Sequence, residues 1–285
     1  MMVASMKVPA IERIHRSNFV VVDGIRTHYL EAGEGPPIVL LHSGEFGACA
    51  ELSWEYLIPH LAPHFRVIAP DWLGFGGTAK IHDFESKRER MLSHMVRFVQ
   101  VLAIERAHFI GNSMGATLLL GMAAESPCRL PLKRVVAISG GGFVPYNAER
   151  QTMLAYDGTS AAMVGLLQAL FIDPVWYTDE GYIERRRQLS LLPGAWECVA
   201  ASRFKSPVTE LRNEFGQPDI TPYENIEVPT LLIAGAKDRL RLRGYAGEVV
   251  RKMPHGHLVE LLECGHCANI EQPHAVAHHL LEFLA

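Results

Sequence analysis

The chain has 285 residues, 48% hydrophobic and 20% charged, with a formal charge of −4 and a pI near 6.4. That length suits one large α/β domain or two small ones, with a substantial core. The mild acidity excludes the basic footprint of a nucleic-acid or acidic-membrane binder, and no apolar run approaches the ~20 residues of a membrane helix. The opening residues lack the apolar segment of a secretory leader. Five cysteines, an odd number in a chain this long, argue against a disulfide framework and for a reduced, cytoplasmic protein. The expected partner is a small-molecule substrate, with no nucleic acid and no membrane; a homodimer is compatible with this composition.

The first two apolar runs, FVVVDG (19–24) and HYLEAG (28–33), are joined through Asp23-Gly24 and read as an antiparallel hairpin at a sheet edge. Further runs follow at 37–42, 65–71, 107–113, 134–139, 229–235 and 257–263. Most are bounded by Gly, Pro or Asp and separated by helical patterns, the signature of crossover units in a mostly parallel sheet. The rhythm breaks between about 143 and 222, where AAMVGLLQALF (161–171) and DEGYIERRRQLSLL (179–192) read as helices. This stretch carries Tyr146, Tyr156, Trp176, Tyr177, Tyr182 and Trp196. It is too long for a plain loop, and reads as a helical cap (143–222) over the C-terminal edge of a core formed by 1–142 and 223–285.

FIGNSMGA (109–116) places G-x-S-x-G after an apolar strand and before the helix-forming ATLLLGMAAE. That context makes it a nucleophile elbow: a strained turn projects the Ser113 hydroxyl at a helix N-terminus, where free amides favour developing negative charge. Side chains at Gly111 or Gly115 are expected to collide with neighbouring backbone. A hydroxyl nucleophile needs a base and a group to orient it, in the order Ser, acid, His for this architecture. Asp238 in IAGAKD follows a strand, and His266 in LLECGHCANIEQP follows the last one. Asp219, Glu260 and Glu263 match the post-strand position less well. LLHSGEFG (40–47), after the third strand, offers Gly44 as the second oxyanion amide beside that of Met114. The glycines of DWLGFGGT (71–78) read as turn-formers rather than a phosphate cradle.

Cys264 and Cys267 flank His266 in a C-G-H-C. A redox pair belongs near the start of a small thioredoxin-like domain, whereas this one follows the last strand. A zinc site would draw on His255 and His257, which fall at the opposite end of that strand. Neither a metal nor a cofactor is expected, and His266 is the residue of interest.

In order along nearly the whole chain, HSGEF, DWLGFGGT, GNSMGA, GAKD and CGHCANIEQP resemble the α/β-hydrolase superfamily. The resemblance implies an α/β fold with a mostly parallel eight-stranded sheet flanked by helices and a cap inserted after the sixth strand. Asn112 before the nucleophile, AISGGGFVP (137–145) and LFIDPVWYTDEGYIERRRQL (170–189) look like the meta-cleavage-product hydrolases, which cleave C–C bonds in aromatic-ring degradation. The implied activity is cleavage of a vinylogous 1,5-diketone or a related small acidic carbonyl substrate. By count from Thr178, the family's substrate-carboxylate arginine falls on Arg185, with Arg186 next; Asn112 is expected to donate a hydrogen bond nearby. The pattern departs at Cys267, where the family has Trp, and at Ser43 and Glu45, where it has glycines. Its polar Asn beyond the oxyanion loop lands on Ser53. A carboxylesterase or lactonase uses the same triad without a cap arginine, and a ligand receptor on this scaffold retains it without turnover.

Overall fold

A computed structural model describes residues 7–203 and 215–285. Residues 1–6, part of the stretch read as lacking a leader, and 204–214, part of the expected cap, lie outside the described residues. Eight strands form one sheet: β1 (Arg16–Val22), β2 (Ile25–Ala32), β3 (Pro37–Leu41), β4 (Arg66–Pro70), β5 (Ala107–Asn112), β6 (Leu132–Ile138), β7 (Thr230–Gly235) and β8 (Gly256–Leu261). Their spatial order is β1-β2-β4-β3-β5-β6-β7-β8. Only β2 opposes the rest: it pairs antiparallel with β1 and β4, and every later pairing is parallel.

The inner strands are apolar throughout because helices cover both faces. Every residue of β5 and of β7 is buried. Side chains alternate across the sheet. Val39 and Leu41 join a cluster with α3 (Lys87–Val101), α4 (Met114–Ala123) and α10 (Tyr245–Val250). Ile38 and Leu40 pack on the other side against α1 (Ala50–Trp54), α2 (Ile58–Leu61) and α12 (Pro273–Leu284).

Between β6 and β7 the chain forms α5 (Ala148–Leu154), α6 (Ser160–Leu170), α7 (Val175–Thr178), α8 (Glu180–Ser190) and α9 (Ala195–Ala200). Three start on side-chain caps, at Asn147, Thr159 and Asp179, which satisfy amides the first turn leaves open. Leu166, Leu170, Phe171, Trp176 and Tyr182 from this insertion form a third cluster with Phe46, Leu240 and Cys267. Those last three residues follow β3, β7 and β8, so the insertion rests on the C-terminal edge of the sheet. A short helix α11 (Ala268–Glu271) lies between β8 and α12. Among the described residues no helix is long and apolar enough to cross a membrane.

Candidate active site

β5 ends at Asn112 and α4 begins at Met114, leaving Ser113 alone to turn the chain. Its φ of 51° and ψ of −111° lie where a side chain is strained. The flanking glycines make that turn sterically feasible. A Cβ on Gly111 would stand 2.5 Å from the Ala116 backbone, and one on Gly115 would run into the carbonyl oxygens of Leu41 and His42, the latter at 2.6 Å.

Ser113 Oγ lies 2.7 Å from His266 Nε2, and His266 Nδ1 lies 2.7 Å from Asp238 Oδ2. With Nδ1–H donating to the carboxylate, Nε2 is left to accept the serine proton. Burial alone would push the Asp238 carboxyl up, but the facing His266 and the Leu240 amide outweigh it and hold it below the usual carboxylate value. The Leu240 amide donates to Oδ1 at 2.8 Å. The loop carrying His266 is tied down twice. Its amide donates to Leu170 O at the end of α6 (2.9 Å), and the Gly265 amide donates to Glu271 (2.6 Å). The other Glu271 oxygen accepts from the Ile172 and Asp173 amides, joining the insertion to the same anchor.

Gly44 packs directly on Met114: a Cβ there would collide with the Met114 Sδ and stand 3.0 Å from its Cβ. The loop is held from behind by His42, which the sequence did not single out. His42 Nδ1 donates to Ser43 O (2.6 Å), so Nε2 accepts from the Trp72 amide (3.0 Å), and Trp72 Nε1 returns a bond to His42 O (3.0 Å). Asp71 completes the brace. It accepts from the Ala50 and Gly77 amides at 2.7 Å each and faces His28 Nδ1 at 2.7 Å. Gly77 and Gly74 (φ 86°) thus shape a turn around a buried carboxylate, as read from the sequence.

The residues assigned to the substrate fall differently. Arg185 does not turn inward towards the triad: its guanidinium grips both Glu55 oxygens at 2.8 Å, and a third of the side chain is exposed. The reason is helical phase. The buried positions of α8 are Tyr182, Ile183, Arg186 and Ser190, and a helix turns 100° per residue, so Arg185 faces away from that stripe. Arg186 takes the inward position, with no exposure, and meets Glu45 at 2.5 Å. Nothing in the sequence marked Glu45 as its partner, since the two are 141 residues apart. Asn112 also departs from expectation: its Nδ2 is directed at the Ile138 and His266 carbonyls (3.3 and 3.5 Å), leaving Oδ1 buried without a partner. The Ser43 and Ser53 hydroxyls are likewise buried and unpartnered. Asn269 donates to Ser53 O at 2.6 Å.

The rival carboxylates serve elsewhere. Asp219 accepts from Tyr223 and the Thr221 amide, Glu263 pairs with Lys237, and Glu260 is exposed on β8. Cys264 and Cys267 are both buried free thiols, and burial pushes each thiol up, away from the reactive thiolate. His257 lies at the start of β8, remote from Cys264 beyond its end.

A sheet of this order, an elbow after its fifth strand and an acid and a base after its seventh and eighth define a hydrolase class. The alpha/beta hydrolase family model matches residues 38–279, and the chain belongs to that family. It is 32% identical to the 2-hydroxy-6-oxo-6-(2'-aminophenyl)hexa-2,4-dienoic acid hydrolase of Metapseudomonas resinovorans, covering 96% of this chain and 92% of that protein. It is 30% identical to the 2-hydroxymuconate semialdehyde hydrolase of Pseudomonas sp. (strain CF600), with 93% of each covered. Among solved structures it is similar to the 2-hydroxy-6-oxo-6-phenylhexa-2,4-dienoate hydrolase from Rhodococcus sp. strain RHA1. That match has a TM-score of 0.81 at 25% identity over 96% of this chain and 99% of the other.

Proposed function

We propose that this chain is a serine-dependent hydrolase that cleaves a C–C bond in a vinylogous 1,5-diketone of the ring meta-cleavage type. The observation that carries the hydrolytic chemistry is the continuous Ser113–His266–Asp238 chain, with both links at 2.7 Å. The nature of the bond is supported by full-length similarity to enzymes named for such substrates.

Ser113 Oγ adds to the ketone carbonyl while its proton passes to His266 Nε2, and Asp238 stabilises the imidazolium that forms. The new oxyanion forms beside the Met114 and Gly44 amides, whose dipoles are fixed before the reaction starts. The bond to carbon then breaks, and its electron pair must be accepted by the fragment that leaves. A dienol tautomerised to its ketone provides that sink through the conjugated carbonyl, and His266 supplies the proton. Water, activated by the same imidazole, releases the acyl group as a carboxylic acid. Cys264 and Cys267, the thiols flanking His266, are buried, and burial pushes both up, which gives no support to thiol chemistry there; five unpaired thiols fit a reducing compartment such as the cytoplasm.

The test is loss of dienoate absorbance on a panel of ring-cleavage products and their neutral esters, run beside p-nitrophenyl esters. C–C cleavage abolished in Ser113→Ala supports the reading. Ester hydrolysis without any C–C cleavage would move it to a carboxylesterase or lactonase, and no turnover on either panel to a ligand receptor.

A further inference from the structure

We propose that Glu45 sets the charge selectivity of this site, by neutralising Arg186 so that the polar end of the pocket accepts an uncharged hydrogen-bonding group in place of a carboxylate. The inference rests on the hydrolase reading above, with Ser113 as nucleophile, and narrows its substrate from the free acid to an uncharged relative of the ring-cleavage products.

Arg186 and Glu45 are the two members of a buried ion pair, with side chains 0% and 3% exposed. The guanidinium lies beside the Phe171 and Tyr182 rings, 5.9 and 5.7 Å from their centroids. The pair lies beside the loops that carry the site: Glu45 is the residue after Gly44, and both partners lie within electrostatic reach of Cys267, the residue after His266. An arginine in such a place is an anion receptor, since its fork matches a carboxylate and its charge cannot be discharged. Here the chain supplies the anion itself.

The match is incomplete: the pair leaves hydrogen-bonding capacity unused but no net charge. Glu45 engages Nη2, Nη1 reaches only the Tyr182 hydroxyl at 3.4 Å, and Nε is buried without a partner. The Ser43 and Ser53 hydroxyls, on the same segment as Glu45, and Asn112 Oδ1, beside Ser113, are also buried and unpartnered. These atoms are donors and acceptors without net charge. A ketone, hydroxyl, ester or amide satisfies them. A carboxylate brought to the pair meets a guanidinium already neutralised and a buried carboxylate that repels it, where burial weakens screening. Arg185 does not substitute, because Glu55 holds both sides of its fork.

The experiment compares kcat/KM for a ring-cleavage dienoate and its methyl ester, and in parallel for p-nitrophenyl butyrate and p-nitrophenyl hemisuccinate. Ratios within each pair cancel general losses of activity. The wild-type enzyme should favour the neutral member of each pair, and Glu45→Gln should shift the ratio towards the acid by about tenfold or more, the scale of removing one buried like charge. Glu45→Ala opens space for an external anion: acetate should raise its Tm by several degrees over chloride at equal ionic strength, while the wild-type Tm stays unmoved. A wild-type preference for the acids, or a ratio unchanged in Glu45→Gln, overturns the proposal. If neither dienoate form is cleaved, the C–C reading falls, but the p-nitrophenyl pair still decides the role of Glu45. Where Glu45→Gln does not fold, the wild-type ratios carry the decision.

Discussion

Gly115→Ala adds one methyl group where the elbow presses α4 onto the end of β3. The new Cβ would stand 2.6 Å from His42 O and closer still to Leu41 O, where ordinary contact begins at 3.4 Å. Both obstacles are backbone, so the first turn of α4 must retreat by at least 3.4 − 2.6 = 0.8 Å. Forced overpacking of this kind costs about 1–3 kcal/mol. At roughly 2–4 °C per kcal/mol for a large domain, Tm should fall by roughly 2–12 °C. Catalysis should suffer more than stability. Ser113 and the Met114 amide ride on the turn that moves, and a displacement near 1 Å costs about 10²-fold in rate. Thermal melting by circular dichroism and p-nitrophenyl ester turnover read the two effects separately. Gly247→Ala is the control: it lies inside α10 with its nearest neighbours at 3.7 and 3.8 Å, so it should stabilise by about 0.4–1 kcal/mol and leave turnover alone. Native turnover together with a native Tm in Gly115→Ala would refute the steric account of the elbow.

Ser113→Ala should lower turnover by about 10³-fold or more, since triad members act as a unit; near-native steady-state rates would remove Ser113 from its role. Arg185→Ala should act on stability, costing about 1–3 kcal/mol by stranding the buried Glu55 carboxylate, with little change in acid-against-ester preference. Burial already holds Glu55 above its usual value against the pull of Arg185, and removing Arg185 raises it further. A carboxyl raised on folding favours the protonated native state, so the variant should regain stability as pH falls from 7 towards 5; calorimetry showing the opposite slope would contradict this. Cys128 is exposed whereas Cys49, Cys264 and Cys267 are buried, so a thiol reagent should label Cys128 fast and those three only on unfolding. Replacing Cys264 and Cys267 together by Ser should keep at least about a tenth of the activity; loss on treatment with chelator or thiol reductant would instead revive a metal or redox role.

Local signals carried much of this protein's organisation. Each of the eight strands falls within a few residues of an apolar run, because a strand covered on both faces must be apolar almost throughout, as β7 is. The elbow was legible for a similar reason: only glycine fits at positions 111 and 115, so the chemistry leaves its mark on adjacent residues. Chain order then pointed to Asp238 and His266, since parallel strands deliver their following residues to one edge. Pairing between distant side chains was decided by tertiary structure alone. Counting along α8 could not fix its rotation to better than one residue, and one residue is 100°, enough to turn Arg185 outward and Arg186 inward. The braces at His42, Asp71 and Glu271 and the ion pair between Glu45 and Arg186 join segments with no periodic relation to one another. Their partners are selected by burial, because a charge taken out of water must find another wherever the fold happens to bring one. The sequence therefore displays Ser113 and its turn, while the pairing of Glu45 with Arg186 exists only once the helices have packed onto the sheet edge.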